Sequence, residues 1–258
     1  MKKGTAAIKG LSYIESSFSS DNRILRILWE QVVLPLLIKK YEIKLLHCPV
    51  NIAPLACNCK TVVTVHDLSF MKLKKSHNYL QMLYLKKFTS LSCKKADKII
   101  AVSKSTKKDI VECCKIPEDK IQVIYNGISD EFKIINDNDG LNDIKNKYSL
   151  PDKFLLYVGT LEPRKNVPAI IKAFQKCQKD NKFDYKLVIA GSKGWAYQEI
   201  FTLVKELSLS KDVTFTGYIE NNDLPYLYNL AKLLVYPSLY EGFGLPLIES
   251  MACGTPVV

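Results

Sequence analysis

Short β-rich apolar runs alternate with helical segments along most of the chain, and this alternation constrains the fold more than any other feature. The predicted strands are 43–47, 61–65, 98–102, 122–125, 154–158, 186–190, 213–216, 233–236 and 256–258. The predicted helices between them are 23–41, 79–94, 106–114, 167–179, 197–207, 223–231 and 246–253. Strand–helix–strand units favour parallel strands joined by right-handed crossovers. The sequence therefore predicts an α/β fold with doubly wound parallel sheets.

A polar segment interrupts the alternation near the middle of the chain. Residues 132–148 are rich in Asn, Asp and Lys, as linkers between domains often are. We therefore expect two Rossmann-like domains, 1–131 and 151–258, joined by a linker at 132–150. Both domains are expected to be incomplete, because the last strand, Pro256–Val258, begins as the sequence stops, and a parallel strand without its crossover is left uncovered.

The positive charge is concentrated in the first half. Residues 1–131 hold 22 Lys and Arg against 12 Asp and Glu, a net charge of +10, and the remainder has a net charge of +1. This asymmetry indicates an acidic lipid, a phosphorylated substrate or nucleic acid as partner. A lysine-rich solvated face explains it equally well. Nucleic acid is the weakest of these, because no basic patch interleaved with aromatic residues is present.

The remaining composition points to a protein of the cytoplasm. Eight scattered cysteines and three histidines form no C-x-x-C pair and no zinc-ligand spacing, so we expect free or buried thiols in a reducing compartment. No targeting segment is evident, and no apolar run approaches the ~20 residues of a membrane span. Peripheral contact of the basic half with the inner face of the cytoplasmic membrane is a hypothesis.

The most informative motif runs from Tyr236 to Gly254, with the sequence YPSLYEGFGLPLIESMACG. A predicted strand leads into a loop with Gly242 and Gly244, and Pro246 suits the first turn of the next helix. Glycines let the backbone approach a ligand closely, and free N–H groups at a helix start favour an anion such as diphosphate. Glu241 and Glu249 lie on the loop and the helix, eight residues apart.

A second motif, LLYVGTLEPRKN, covers residues 155–166. The predicted strand ends at Gly159, and Asn166 suits the N-cap of the following helix. Arg164 and Lys165 then lie at the carboxyl edge of the sheet, where open α/β sheets bind ligands. A cationic pair there is able to neutralise the charge that grows on a departing diphosphate. The alternative is an exposed basic turn.

Other polar residues near strand ends have competing interpretations. His66 follows a buried strand, where a lone histidine is usually packed or hydrogen-bonded, but its place at the sheet edge favours a site role. Asp67 is better explained as structural. Thr106 and Asp109 fit a helix-capping box. The segment 137–139, Asp-Asn-Asp, mimics a metal-binding D-x-D but lies in the predicted linker, so we expect no metal there.

These motifs, together with TVHD at 64–67 and VIYNG at 123–127, resemble the family 4 (group 1) retaining glycosyltransferases of the GT-B fold. The similarity extends from about residue 23 to residue 258 and is greatest to the mannosyltransferase-like branch that builds O-antigen and capsule polysaccharides. The resemblance implies metal-independent transfer of a hexose from a nucleotide diphosphate sugar, such as GDP-mannose, to a glycan or lipid-linked acceptor. No cofactor is implied beyond that donor substrate.

The resemblance also implies roles for individual residues. His66 and Glu241 would contact the donor sugar, Arg164 and Lys165 the diphosphate, and Glu249 the ribose. The remaining donor-binding residues would be Gly159, Tyr218, Ile219, Gly242, Phe243, Gly244 and Leu245. Tyr218 and Ile219 would lie beside the nucleotide base.

Relative to this family the sequence is expected to be a fragment. Residues 1–22 show no glycine-rich loop of the kind that approaches the donor phosphates from the first domain. Two alternatives follow, a catalytically incompetent remnant or partner subunit with residual nucleotide-sugar binding, and a GT-B-fold sugar-nucleotide epimerase. The Glu241 motif and residues 164–166 favour the transferase over the epimerase.

Overall fold

The computed structural model describes residues 22–73, 79–180 and 183–258. The strands are β1 Leu45–Cys48, β2 Lys60–Val65, β3 Lys98–Ala101, β4 Ile121–Val123, β5 Phe154–Val158, β6 Lys186–Ala190, β7 Val213–Gly217 and β8 Leu233–Leu234. The α-helices are α1 Arg23–Leu28, α2 Leu34–Lys40, α3 Ser69–Lys72, α4 Tyr79–Lys95, α5 Lys104–Cys114, α6 Asn138–Lys147, α7 Val167–Cys177, α8 Gln198–Glu206, α9 Leu224–Leu230 and α10 Leu245–Ala252. The predicted absence of a glycine-rich loop from residues 1–22 falls almost entirely outside this description.

The strands form two separate sheets in which every pairing is parallel. The first sheet has the order β1-β2-β3-β4, and the second has the order β7-β6-β5-β8. In the second sheet the order reverses beside β5, since β6 lies on one side of it and β8 on the other. The predicted doubly wound α/β fold is confirmed, and the crevice at such a reversal is where these sheets bind ligands.

Each sheet buries its own apolar core. One cluster of buried residues lies wholly within the first sheet and its helices and includes Val63, Val65 and Ile99. Two further clusters cover the faces of the second sheet and include Ile171 and Leu156. Among the described residues, none of these clusters contains members from both sheets. The described contacts between the sheets are instead hydrogen bonds, such as that from Thr106 to Gly242, and one aromatic contact between Tyr125 and Phe243, whose ring centroids lie 6.0 Å apart.

The predicted linker contains regular structure. Residues 138–147 form α6, which begins after Asp137, whose side chain accepts a hydrogen bond from the Gly140 N–H at 3.1 Å. This helix packs against α9, and its Ile144 enters the core of the second sheet. The segment predicted as the linker therefore contains a helix that the sequence analysis did not predict. Leu141 and Ile144 of α6 are three residues apart and so lie on one face of the helix.

Some predicted elements are shorter or interrupted in the structure. The predicted helix 23–41 contains a π-helical segment, Trp29–Val33, between α1 and α2. The predicted strand 256–258 contributes a single bridge between Leu234 and Val257, although the Tyr236 N–H also donates to the Val258 carbonyl at 2.7 Å. Of the helices that the structure describes, none combines the length and apolar character needed to cross a bilayer.

Glycines end three neighbouring strands of the second sheet. The Gly159 N–H donates to the Ala190 carbonyl, and the Gly191 N–H donates to the Gly217 carbonyl at 2.8 Å. A Cβ atom at Gly191 would lie 2.0 Å from the Gly159 carbonyl oxygen, so no side chain fits there. The sheet edge is consequently a backbone floor, formed by Gly159, Gly191 and Gly217, that a ligand is able to approach closely.

Candidate active site

A cavity of about 350 Å³ lies between the two sheets, at the carboxyl ends of their strands. It brings together most of the residues that the sequence predicts for donor binding. These are His66, Gly159, Arg164, Lys165, Glu241, Gly242, Phe243, Gly244 and Leu245. The position agrees with the rule that open α/β sheets bind ligands beyond the carboxyl ends of their strands.

The two predicted cations reach this cavity from a single helical turn. Pro163–Lys165 forms a 3₁₀ turn after β5, and it places both side chains toward the loop before α10. Lys165 Nζ lies 2.5 Å from Glu241 Oε1, and Arg164 Nη1 lies 2.8 Å from Glu241 Oε2. Arg164 also donates through Nε and Nη2 to Glu162 Oε1. The alternative of an exposed basic turn is wrong, because Lys165 is only 9% exposed.

Glu241 is the centre of this polar cluster. Besides the two cations, the hydroxyls of Ser238 and Tyr236 donate to its Oε1 at 2.6 and 3.0 Å. Burial alone would raise the pKa of Glu241, but the hydrogen bonds from Lys165 and Ser238 and the charges of both cations hold that pKa below its usual value. Glu241 is therefore an ionised carboxylate with both oxygens satisfied.

Asn166 does not act as the sequence predicts. It precedes α7 in a left-handed conformation with φ of 56°, and its side chain caps no helix N–H. Its amide instead donates to the Pro237 carbonyl at 3.2 Å, which ties the turn that bears the two cations to the loop that bears Glu241. Asn166 thus occupies the predicted N-cap position, but its side chain bonds a partner distant in sequence instead of capping the helix.

The glycine loop comes very close to the first sheet. A Cβ atom at Gly242 would lie 1.7 Å from the His66 carbonyl oxygen, so only glycine fits at this point of the cleft. Gly244 has φ of 87° and begins α10, with Pro246 in its first turn as predicted. Gly244 and Leu245 at this helix start line the cavity, and the backbone N–H groups of a helix start attract anions.

His66 reaches the cavity from the first sheet with its ring fixed. Its Nε2 lies 2.8 Å from the Pro49 carbonyl oxygen, and its backbone N–H donates to Asn51 Oδ1. Because a carbonyl only accepts, this contact places a proton on Nε2. Nδ1 has no hydrogen-bond partner in the described part of the chain. His66 is exposed and lines the cavity, and its role in binding the donor sugar stays a prediction.

Hydrogen bonds cross the cleft beside His66. Ser103, not Thr106, caps α5, since Ser103 Oγ accepts from the Thr106 N–H. The Thr106 hydroxyl donates to the Gly242 carbonyl at 3.2 Å, and the Tyr240 hydroxyl donates to Asp109 at 2.5 Å. The predicted capping box of Thr106 and Asp109 is therefore wrong. Both residues instead join the first sheet to the Glu241 loop.

Two predicted donor contacts lie in a neighbouring cavity of about 210 Å³. Tyr218 and Ile219 line it together with Gly159 and Thr160, which it shares with the larger cavity. Tyr218 is 64% exposed, so its ring is accessible for stacking. The backbone floor thus connects the site of the two cations with the position predicted for the nucleotide base.

Glu249 lies outside the lining of both cavities. Its Oε2 accepts a hydrogen bond from the Tyr228 hydroxyl at 2.8 Å. Burial raises the pKa of Glu249, and the Tyr228 bond opposes this only in part. The predicted ribose contact therefore stays a prediction that no geometry of the described residues supports.

Sequence reasoning missed several residues that line the main cavity. Asn126, Thr160, Glu162 and Tyr236 all contribute to it. Asn126 and Glu162 were within the motifs that define the resemblance, and the same carboxyl-edge argument that selected Arg164 would have found them. Asp67 also lines the cavity, although its Oδ1 accepts from the Ser69 N–H and hydroxyl as a structural residue would.

A larger cavity, of about 890 Å³, lies at the opposite edge of the first sheet. Its lining comes from α2 and from Lys44, Lys60 and Asp97 near the amino ends of β1, β2 and β3. It contains no predicted site residue, and parallel sheets seldom bind substrates at that edge. In the described ranges, no three His, Cys, Asp or Glu side chains converge as metal ligands would. Metal independence remains a prediction.

The sequence matches two family models that together span most of the chain. Residues 5–132 match the model described as Glycosyltransferase Family 4, and residues 142–258 match Glycosyl transferases group 1. Sucrose-phosphate synthase from Thermosynechococcus elongatus has a similar structure, with a TM-score of 0.72 at 24% identity, over 96% of this chain and 62% of that one. This likeness supports the GT-B fold.

Curated relatives agree with the family models. O-antigen chain mannosyltransferase B of Escherichia coli is 34% identical over 200 residues, 77% of this chain and 52% of the relative. O-antigen chain mannosyltransferase RfbU of Salmonella typhimurium is 31% identical over 256 residues, 98% of this chain and 67% of the relative. The chain thus spans about half to two thirds of the length of these relatives. It belongs to the family 4, group 1 glycosyltransferases of the GT-B fold.

Proposed function

We propose that the protein transfers a hexose from a nucleotide diphosphate sugar to a glycan or lipid-linked acceptor, with retention of anomeric configuration. One observation carries this proposal. Arg164 and Lys165 converge with a glycine loop and a helix start on one cavity at the edge of the sheet. Two cations and free N–H groups suit a diphosphate, and the backbone floor leaves room for a nucleotide beside it.

The reaction needs no covalent intermediate with the protein. The bond between the anomeric carbon and the diphosphate oxygen breaks, and its electron pair leaves with the nucleoside diphosphate. The acceptor oxygen forms its bond to the same face of that carbon, and its proton passes to the departing phosphate oxygen. Arg164 and Lys165 stabilise the negative charge that develops on that phosphate. Glu241 accepts hydrogen bonds from hydroxyls of the donor sugar.

The ion pairs of the site support a specific exchange of partners when the donor binds. Glu241 holds both cations in this structure, so a diphosphate must take over part of that role. Diphosphate oxygens then neutralise Arg164 and Lys165, and Glu241 is released toward the sugar hydroxyls. Glu162 keeps Arg164 oriented during this exchange, because it binds the opposite edge of the guanidinium.

Mannose is the sugar that we propose first, since the two O-antigen relatives are named as mannosyltransferases. GDP-mannose is then the donor to test before others, and surface polysaccharide assembly is the proposed process. The net charge of +10 in the first half supports a peripheral contact with anionic lipid at the inner face of the cytoplasmic membrane. Flotation with anionic and with neutral vesicles tests that contact, and equal binding to both refutes it.

Donor turnover tests the proposed reaction directly. Purified protein is incubated with GDP-mannose or UDP-glucose and a mannosyl acceptor, and release of the nucleoside diphosphate is measured. We expect Arg164→Ala to lower this release about 100-fold or more. Arg26→Ala is the matched control, because Arg26 makes only an exposed contact with Glu30. Donor binding without turnover would indicate a remnant, and an epimerised donor would indicate an epimerase.

A further inference from the structure

A third cavity, of about 280 Å³, adjoins the donor cavity and has no role in the reaction as described so far. Asp67, Glu162 and Arg164 line both cavities, so the two share a wall. The rest of the lining includes Trp195 from the second sheet and Phe70 from the first. About 300 Å³ is the low end for small-molecule sites, so the space suits a single ring.

Trp195 is presented to this cavity by a firmly held loop. The Leu161 N–H donates to the Ser192 carbonyl at 2.9 Å, and the Gly194 N–H donates back to the Leu161 carbonyl. A Cβ atom at Gly194 would lie 2.7 Å from that carbonyl oxygen, so the backbone at Gly194 packs directly against Leu161. Ala196 next to Trp195 has φ of 56°, a strained conformation for a residue with a side chain.

An indole in this position is not explained by packing. Trp195 is 42% exposed, which is more than is usual for tryptophan. Backbone strain beside an exposed aromatic ring, on a loop whose residues before Trp195 are bonded to Leu161, is compatible with a ring held for contact with a ligand. The flat apolar face of the indole suits the C–H groups on one face of a sugar ring.

The opposite part of the cavity offers hydrogen-bond acceptors. Glu162 Oε1 accepts from Arg164, and Asp67 Oδ1 accepts from Ser69. The second carboxylate oxygen of each residue has no partner within the described ranges. Two free carboxylate oxygens accept hydrogen bonds from hydroxyls, and they repel a phosphate. The chemistry therefore favours a neutral polyhydroxyl ring over an anionic group.

We infer that this cavity binds the terminal neutral sugar ring of the acceptor, stacked on Trp195 and held by Glu162 and Asp67. This inference rests on the proposed function, because the shared wall places an acceptor hydroxyl beside the donor sugar. It makes Trp195 a specificity-determining residue on the domain that holds the donor. A lipid-linked acceptor would thus be recognised here by its sugar and not by its phosphate.

Steady-state kinetics distinguishes an effect on acceptor binding from an effect on donor binding. We expect Trp195→Ala to raise the acceptor KM about tenfold and to leave the donor KM within about twofold, since stacking contributes up to about 1.5 kcal/mol. Trp195→Phe should recover most of the acceptor affinity. Trp29→Phe is the matched control, because Trp29 lies in the π-helical segment of the first half.

A binding measurement keeps the inference testable without turnover. Trp29→Phe leaves Trp195 as the only tryptophan, since the chain has two. Titration with methyl α-mannopyranoside should then give a saturable change in tryptophan fluorescence, and Glu162→Gln should weaken it. Mannose 6-phosphate should bind less tightly than the neutral glycoside.

The outcomes separate this inference from the proposed function. Failure of the wild-type protein to release nucleoside diphosphate would count against the proposed function, while the fluorescence titration would still test the sugar site. Transfer by the wild-type protein with an unchanged acceptor KM in Trp195→Ala would overturn the inference and leave the proposed function standing. A fluorescence response that Glu162→Gln does not alter would also overturn it.

Discussion

Replacing Glu241 by glutamine tests whether its carboxylate neutralises the two cations of the site. The side chains of Lys165, Arg164 and Glu241 are 11%, 17% and 22% exposed, so the cluster is largely shielded from water. Removing one partner of a buried ion pair costs about 3 to 5 kcal/mol. We take about 3 kcal/mol, the lower end of that range, because Arg164 retains Glu162 and glutamine keeps one oxygen for Ser238.

The loss of unfolding free energy in Glu241→Gln is measurable by thermal unfolding. For chains of this size about 1 kcal/mol corresponds to about 2 to 4 °C in Tm, so we expect Glu241→Gln to lower Tm by about 6 to 12 °C. Fluorescence of Trp195 in a Trp29→Phe background reports the unfolding of the domain that contains Glu241. Pyrophosphate should raise the Tm of Glu241→Gln more than that of wild type, because it supplies the missing anion.

Glu118→Gln is the matched control. Glu118 pairs with Lys107 on the surface with 73% of its side chain exposed, and such pairs contribute less than about 1 kcal/mol. Its Tm should stay close to that of wild type, with no added effect of pyrophosphate. Equal Tm values for Glu241→Gln and Glu118→Gln would refute the view that Glu241 neutralises buried cations. An equal rise in Tm of Glu241→Gln and Glu118→Gln with pyrophosphate would refute the proposal that a diphosphate replaces Glu241 as partner of the two cations.

Three further predictions concern the cleft and the helix after it. Gly242→Ala forces a methyl group against a backbone carbonyl of the facing sheet and should lower transfer at least about tenfold, whereas Gly127→Ala, with open space around it, should not. Tyr240→Phe removes the hydroxyl that binds Asp109 and should lower the unfolding free energy by about 1 to 3 kcal/mol in urea titrations. The raised pKa of Glu249 means that the folded protein binds this proton more tightly than the unfolded chain does. The contribution of Glu249 to the unfolding free energy is therefore greatest below its ordinary pKa of 4.5 and declines as pH rises. Glu249→Gln should therefore gain stability relative to wild type between about pH 4 and 7, and a constant difference across that range would contradict this.

Local patterns in the sequence predicted the strands of the second sheet well. The boundaries of β5 and β6 agree with the predicted ranges, because buried central strands give continuous apolar runs. The helix α6 was missed, since its few apolar residues make a weak pattern inside a polar segment. Its stability depends on packing against α9, which a local pattern does not contain.

Individual residues of the candidate site were predicted, but the hydrogen bonds and ion pairs that connect them were not. Motif position identified Arg164, Lys165 and Glu241, and the structure joins them in one cluster. The partners of Thr106 and Asp109 lie more than a hundred residues away, so a local capping pattern was the only signal available for them. Contacts across a cleft arise from the docking of two sheets, and no periodicity in the sequence records that docking.

The separation of the two apolar cores has a consequence for amide hydrogen exchange. The bonds from the Leu68 N–H to the Tyr240 hydroxyl and from Thr106 to Gly242 span 172 and 136 residues, and no described apolar cluster supports them from both sides. Opening of the cleft therefore requires no unfolding of either sheet. The Leu68 amide should exchange with solvent deuterium far sooner than the Val65 amide in the neighbouring strand, and a ligand that bridges the sheets should slow only the former.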